Sequence, residues 1–463
     1  MSGDATGTGL AALTPGRREL SELVRLALPV ALVQVGMLAM GVADTIMVGH
    51  VSAVDLAAVG LGNLYFFTVA VFGMGVLFAL DPVISQAVGA GDAEAVARGV
   101  QRGGVLAVVT GVAASLLLLP AGPVLSVLRQ PPEVVPVAAA YALVSIPGVF
   151  PFYGYMVLRQ SLQAMGRVAP VVVAVVVANV ANLAFNWVLI FGHLGFPAMG
   201  AVGSSWATSL SRWVMAAGLL AAAWPLLRSA LRPVRREALA LAPLLRMVRL
   251  GAPIGAQQAL EFGAFGATGI LMGWMGTVAV ASHQVALNLA ALTFMVPLGV
   301  AQAATVRVGQ AVGRGDAYGA RRAAGAGILA GVSFMVCTAL VFLSLPGPLA
   351  RIYSRDPAVV GLAATLIPIA GIFQVFDGLQ VVASGVLRGI ADTRTPMVLG
   401  LVGFWLIGLP TSAVMAFALH LGPPGLWWGL ALGLAATSLL LVARVRTRFA
   451  GDLVRVTVDA VRA

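Results

Sequence analysis

Lysine does not occur in these 463 residues, cysteine occurs once, histidine four times, and charged residues make up only 10% of the chain. Each shortage removes a class of function. Without lysine there is no GxxxxGK[ST] phosphate loop, which argues against ATP-driven pumping within this polypeptide. The one cysteine, Cys337, can form neither an intramolecular disulfide nor a CxxC pair. The four histidines show no HExxH or paired-ligand spacing, so no transition-metal site is expected. No DDxxD-like cluster is present to hold Mg²⁺ for a membrane-embedded prenyl transferase, and no enzymatic activity or cofactor is expected. Soluble domains carry about 25% charged residues, so a water-soluble globular fold is excluded. The first twenty residues hold no apolar core before Arg17 and Arg18, and no cleavable signal peptide is expected.

What the chain has instead is apolar length. Hydrophobic residues make up 60% of it and the mean hydropathy is +0.98. Runs such as Leu56 to Leu80 carry no charge and no strand-like alternation, so the expected fold is an all-α polytopic membrane protein. Twelve spans are predicted, near 25–49, 55–80, 103–128, 134–158, 168–191, 200–226, 250–273, 278–304, 323–349, 357–386, 396–419 and 424–443.

The net charge of +11 would suggest a nucleic-acid partner in a soluble protein. Here it reads as topology, and the expected surroundings are a lipid bilayer. The N-terminus, the even-numbered loops and the C-terminus hold 24 of the 28 arginines, against three on the opposite face, Arg129, Arg351 and Arg355. The remaining one, Arg212, falls within the sixth span. Both termini are therefore expected in the cytoplasm, with the protein in the cell (inner) membrane. The expected organisation is a cytoplasmic segment 1–24, a lobe 25–226, an arginine-rich cytoplasmic linker 227–249, a second lobe 250–443 and a cytoplasmic tail 444–463.

The two lobes are repeats. Arg25-Leu26-Ala27-Leu28-Pro29 recurs as Arg249-Leu250-Gly251-Ala252-Pro253, an offset of 224. Gln86 to Ala93 (QAVGAGDA) recurs as Gln310 to Ala317 (QAVGRGDA) at the same offset. LQAMGRVAP, from Leu162, resembles RGIADTRTP, from Arg388, at an offset of 226. Six helices is an even number, so the repeats run parallel, related by a pseudo-two-fold axis along the membrane normal, which is a transporter architecture.

Against this apolar background three acids lie inside spans: Asp44, Glu261 and Asp377. An acid there costs roughly 2.5–3.5 kcal/mol on insertion scales and marks a functional site by default. Glu261 is 12 residues past Arg249 and Asp377 is 11 before Arg388, so both lie roughly 17 Å from the cytoplasmic boundary and could share a site. Asp44 lies near the outer end of the first span. Asn182 and Asn186, one turn apart on the fifth span, reach its depth and make a plausible polar cluster with it. The repeat equivalents of the three acids are Thr268, Met37 and Pro151, so the lobes carry different chemistry. Such carboxylates can bind Na⁺, here at Glu261 and Asp377, or take up a proton. Other candidates for a substrate cavity or gate each have a second reading. Asp81 adjoins Pro82 and either ends the second span or lies near an inner gate. His283, Gln284 and Asn288 form a polar stripe on the eighth span, or His283 is a hydrogen-bonded packing residue. Phe265, Phe373 and Phe376 line a drug pocket or pack the core.

These residues sit in VADTIMVGH (42–50), DPVISQAVGAGD (81–92), LEFGAF (260–265), ASHQVALN (281–288) and FDGLQVVASGVLRG (376–389). Together the segments resemble the multidrug and toxic compound extrusion (MATE) family, in its NorM-type bacterial branch. The resemblance implies twelve helices in two bundles and export of amphipathic cationic compounds in exchange for Na⁺ or H⁺. It matches the family's N-lobe acid to Asp44 with Asn182 and Asn186, and its C-lobe cation-site acids to Glu261 and Asp377. It does not choose the ion. A monomeric secondary antiporter is the leading expectation. The alternative is a flippase for polyisoprenyl-linked saccharides or lipids, whose anionic pyrophosphate would want cationic groups in the cavity.

Overall fold

A computed structural model describes residues 15–459. The ends of the predicted terminal segments, 1–14 and 460–463, lie outside the described residues. Among the described residues there is no strand and there are twelve long helices: α1 Arg17–Gly49, α2 Ala53–Gly89, α3 Ala93–Leu118, α4 Val135–Ala164, α5 Ala169–Phe191, α6 Gly200–Leu231, α7 Leu241–Gly273, α8 Thr277–Gly313, α9 Ala317–Ser344, α10 Pro357–Gly389, α11 Arg394–Ala418 and α12 Pro423–Ala450. Eleven are long and apolar enough to cross a membrane. The twelfth, α7, is 33 residues long. Gln257, Gln258 and Glu261 in its middle lower its hydropathy, so the least apolar span is also one that carries a buried-acid candidate.

Both α2 and α8 run nine residues past their predicted ends, each to 37 residues. At 1.5 Å per residue that is about 55 Å, well beyond the ~30 Å hydrocarbon core. Their extensions are the repeated QAVG segments. After each extension a glycine turns the chain with positive φ, +68° at Gly91 and +72° at Gly315, a left-handed backbone conformation that residues with a side chain rarely adopt although the space around both glycines is open. The next residue then caps the following helix. Asp92 accepts from the Ala95 N–H at 2.9 Å and Asp316 from the Gly319 N–H at 2.7 Å. The repeated Gly-Asp is thus a turn and an N-cap written twice.

The predicted linker is mostly helix. Residues 227–231 continue α6 and 241–249 open α7, so only 232–240 are left to connect the halves.

Contacts divide the chain into two compact units. Of the described residues, one contains 15–31 with 256–456, the other 32–255 with 457–459. The division falls within α1 and α7, just after the repeat-equivalent prolines Pro29 and Pro253. In the first unit Leu23 and Ala27 are buried among residues of α8, α9, α10 and α12, and Gly299 of α8 has no room for a side chain against Ala31. In the second unit Gly75 of α2 lies as closely against Gly255. Gly299 is the repeat equivalent of Gly75, and Gly255 that of Ala31, so one packing solution is used in both units. A second core in the first unit gathers Phe373, Phe404, Trp427 and Leu430. The core of the second unit gathers Val48, Val59, Leu125, Tyr141 and Ile190.

The chain's last described residues rejoin the second unit. Asp459 pairs with Arg98 at 3.0 Å and with buried Arg102 at 2.5 Å, both in the first turns of α3. Arg102 also donates to the Glu237 carbonyl at 3.1 Å. Burial pushes the Asp459 carboxyl up, but Arg102 and Arg98 outweigh it and hold the group below the ordinary aspartate range. A depressed carboxyl contributes its stabilisation above its unfolded pKa of about 4 and loses it as pH falls through the folded value. Tail docking should therefore be intact at neutral pH and weaken in acid. Hydrogen exchange over residues 457–459 measures this, and Asp459→Asn should show the acid behaviour at pH 7.

Candidate functional site

Two polar clusters form inside membrane helices, one in each unit. In the second unit α5 carries Asn182 and Asn186 one turn apart, both fully buried, and α1 carries Asp44, 2% exposed. Asn186 Nδ2 donates to Asp44 Oδ1 at 2.6 Å and to Asn182 Oδ1 at 3.0 Å. Thr208 of α6 donates its hydroxyl to Asp44 Oδ2 at 2.7 Å. The register of α5 against α1 is held two turns away, where Asn179 Nδ2 donates to the Gly36 carbonyl at 3.0 Å. The three residues grouped by depth do meet, and Thr208 completes the cage.

One turn beyond Thr208 on α6, Arg212 is 7% exposed. Its guanidinium carbon sits 4.1 Å from the Phe66 ring centroid and 5.1 Å from that of Phe152. Those two rings pack edge to face at 5.8 Å. A cation held this way gains about 2 kcal/mol when desolvated. Arg212 Nη1 is buried and makes no hydrogen bond. Tyr141 closes the cluster from α4, donating to Asn63 Oδ1 at 3.0 Å.

In the first unit the acids of α7 and α10 come together through an amide. Gln380 Nε2 donates to Glu261 Oε1 at 2.7 Å. Gln380 is 1% exposed and its Oε1 is buried without a hydrogen-bond partner. Asp377, three residues earlier on the same face of α10, interacts electrostatically with Glu261. Both acids are half-buried. A second rung lies one turn away on both helices, where Gln257 Nε2 donates to Ser384 Oγ at 3.3 Å. A third contact ties α10 to α8, with Thr293 donating to Gln374. Among the described residues no group of three or more His, Cys, Asp and Glu side chains gathers as a metal cluster. Two carboxylates and a free amide oxygen are nevertheless hard oxygen donors of the kind an alkali cation takes.

The remaining candidates separate. His283 is 1% exposed and its ring centroid lies 5.6 Å from that of Trp427 in the core. Gln284 and Asn288 are exposed. The supposed stripe divides because adjacent helix positions point about 100° apart, while 284 and 288 share a face. Phe265 packs edge to face on Phe373 at 6.0 Å, and Phe376 lies half-buried against the same core. Asp81 does not end a helix. The chain loosens at Phe78–Ala79 and helix resumes at Leu80, with Asp81 and Pro82 in its first turn, where a missing N–H costs nothing. Asp81 is buried there, its carbonyl accepting the Ser85 hydroxyl at 2.5 Å.

Sequence reasoning missed Gln380 and Thr208. Gln380 was findable as Asp377-x-x-Gln380 on one helical face. Thr208 sits among Ser and Thr residues that mostly bond to helix carbonyls, so nothing in its spacing sets it apart. Arg159, assigned by its charge to a loop, is inside α4 at 4% exposure and donates to Gln34 Oε1 at 2.9 Å.

The sequence profile of the MatE family matches residues 29–188 and 253–414. The two matches begin 224 residues apart, the offset of the internal repeat. The chain is 35% identical over 437 residues to the multidrug resistance protein MdtK of Pectobacterium atrosepticum, covering 92% of this chain and 95% of the relative. It is 38% identical over 429 residues to a probable multidrug resistance protein NorM of Rhizobium meliloti, covering 90% and 91%. A crystal structure of the eukaryotic MATE transporter AtDTX14 superposes with a TM-score of 0.85 at 22% identity, over 94% of this chain and 97% of that one. At that identity the likeness is one of fold.

Proposed function

This chain belongs to the MATE family, and from that premise we propose that it is a secondary multidrug exporter, moving amphipathic cationic compounds against a counterflow of Na⁺ or H⁺ by alternating access. The observation that carries the reading is the pair of carboxylate clusters inside otherwise apolar helices: Glu261 held by Gln380 beside Asp377, and Asp44 caged by Asn186 and Thr208. A carboxylate attracts the cationic compound, and the same carboxylate is the place where the entering ion competes with it. Exchange requires only that ion and compound favour different states of the protein. The arginine bias supports an inner-membrane placement with both termini in the cytoplasm, and a monomer is the simplest assembly for two clusters that are each complete within one chain. The flippase reading is not favoured, since the relatives are named for multidrug resistance.

The test is efflux of a cationic dye from proteoliposomes under an imposed Na⁺ gradient and, separately, an imposed pH gradient. Dye movement driven by one of them is expected and identifies the ion. Silence under both, with several dyes and correctly oriented protein, overturns antiport.

A further inference from the structure

We propose that Arg159 is the centre of an anion site in the second unit, where it and the neighbouring side chains Tyr155, Gln160 and Gln163 of α4 present donors to a bound halide ion such as chloride. The site is separate from both carboxylate clusters, and the inference does not depend on the antiport reading.

Three arginines are buried among the described residues: Arg102, Arg159 and Arg212. Two of them have their charge answered. Arg102 pairs with Asp459, and Arg212 stacks on Phe66 and Phe152 and interacts electrostatically with Asp44. The partners of Arg159 are neutral: its Nη1 donates to Gln34 Oε1 at 2.9 Å, and the Tyr155 hydroxyl interacts with the guanidinium. Among the described residues no carboxylate forms an ion pair with Arg159. A guanidinium cannot escape the cost of burial by giving up its proton. A buried charge is tolerated when it is paired, so this one calls for an anion.

What surrounds the charge is a set of donors. Tyr155, Arg159 and Gln163 follow one another at intervals of four residues and share a face of α4, and Gln160, three residues before Gln163, borders that face. All four are buried, Tyr155 and Gln160 fully. Arg159 Nε, Gln160 Nε2 and Gln163 Nε2 make no hydrogen bond, and beside these three donors the group has one acceptor in the same condition, Gln160 Oε1. A metal cation needs several oxygens and would add to the charge of Arg159. A water molecule would leave that charge unbalanced. A halide ion is purely an acceptor, supplies the one negative charge that Arg159 lacks and takes donors from any direction, so side chains of a single helix can reach it together. Sulfate or doubly charged phosphate would overshoot that balance. Arg159 lies five residues from the end of α4 at Ala164, about 8 Å along the helix. Its partner Gln34 lies ten residues before Asp44 on α1, about 15 Å away, which sets the anion site apart from the Asp44 cluster.

The experiment is equilibrium binding of ³⁶Cl⁻ to purified protein in detergent, together with thermal unfolding as chloride is replaced by gluconate at constant Na⁺ and constant ionic strength. Wild type should bind chloride saturably, exchange it for bromide, and unfold at a lower temperature in gluconate, since a ligand of the folded state alone stabilises it. Arg159→Met should abolish the saturable binding and unfold at the same temperature in both salts. Gln160→Leu combined with Gln163→Leu leaves the guanidinium and its bond to Gln34 in place, and should weaken chloride binding at least about ten-fold, because a hydrogen bond to a charged group contributes a decade or more in affinity. Absence of saturable chloride binding to wild type overturns the proposal, as does wild-type affinity in a folded Arg159→Met protein, or displacement of chloride by sulfate in preference to bromide. A wild type whose unfolding ignores the salt, with Arg159→Met destabilised equally in both, would reduce Arg159 to its bond with Gln34 and also overturns it. If Arg159→Met fails to fold, the double glutamine variant decides: unchanged affinity overturns the proposal and the expected weakening upholds it.

Discussion

Glu261→Gln and Asp377→Asn should each lower ion-driven dye export at least about 30-fold, a loss of roughly 2 kcal/mol of coupling, while leaving the protein folded. A gradient drives export only to the extent that the ion distinguishes the two states of the transporter. Both substitutions keep the shape of the side chain and remove its charge. Glutamine at 261 can still accept from Gln380 Nε2, the bond that now reaches Glu261 at 2.7 Å. What it loses is the ability to hold a cation or a proton. Stability should move the other way. A carboxylate within an apolar helix costs roughly 2.5–3.5 kcal/mol on insertion scales, and no basic residue among the described ones forms a direct ion pair with Glu261 or Asp377 to compensate it, so the amide variants should unfold at the same temperature as wild type or higher. Dye efflux from proteoliposomes and thermal unfolding in detergent give the two readouts. Wild-type export by both variants, or a large drop in unfolding temperature, counts against a coupling role.

Much of this arrangement was legible in the sequence because its signals are additive along the chain. Hydropathy sums over some twenty residues, so the spans stood out even where their ends did not. The ends failed where a helix leaves the hydrocarbon and keeps going, as α2 and α8 do through the QAVG segments, because there only burial against neighbours distinguishes helix from loop. The three acids were visible because their cost is local: no packing partner is needed to see that Asp44 is out of place in an apolar run. Partners were visible only when they shared a helical face at a depth that could be counted, as Asn182 and Asn186 did. Gln380 lay on the same face as Asp377 but is an ordinary amide, and its importance appears only when α7 is laid beside α10. The polar stripe at His283 divides for the converse reason, since neighbours in sequence on a helix point to different faces, which leaves His283 buried and Gln284 and Asn288 exposed. The division of α1 and α7 at Pro29 and Pro253 was likewise hidden. The repeat shows that these prolines correspond, but where each half packs is decided by small residues on α2 and α8, Gly75 and Gly299.

The largest stability effect should come from the other cluster. Asp44→Asn removes the same charge as Glu261→Gln but leaves a different residue behind. Arg212 stays buried between Phe66 and Phe152, and the carboxylate that balanced it is gone. Arg212 on α6 interacts electrostatically with Asp44 on α1, and two unit charges about 6–8 Å apart at an effective dielectric near 20 balance by on the order of 2–3 kcal/mol. The cage loses quality too, because an amide offers one acceptor oxygen where the carboxylate offered two, to the Asn186 amide and the Thr208 hydroxyl. Asp44→Asn should therefore lower the unfolding temperature and abolish export, whereas Glu261→Gln abolishes export alone. The double variant Asp44→Asn with Arg212→Met separates the two losses. Removing the orphaned charge should recover most of the stability, a coupling that a double-mutant cycle reads directly, yet export should stay absent because no carboxylate remains in the cluster. Additive stability losses in that cycle would show that Asp44 and Arg212 do not sense each other, and recovered export would show that the Asp44 carboxylate serves the fold and not the transport cycle.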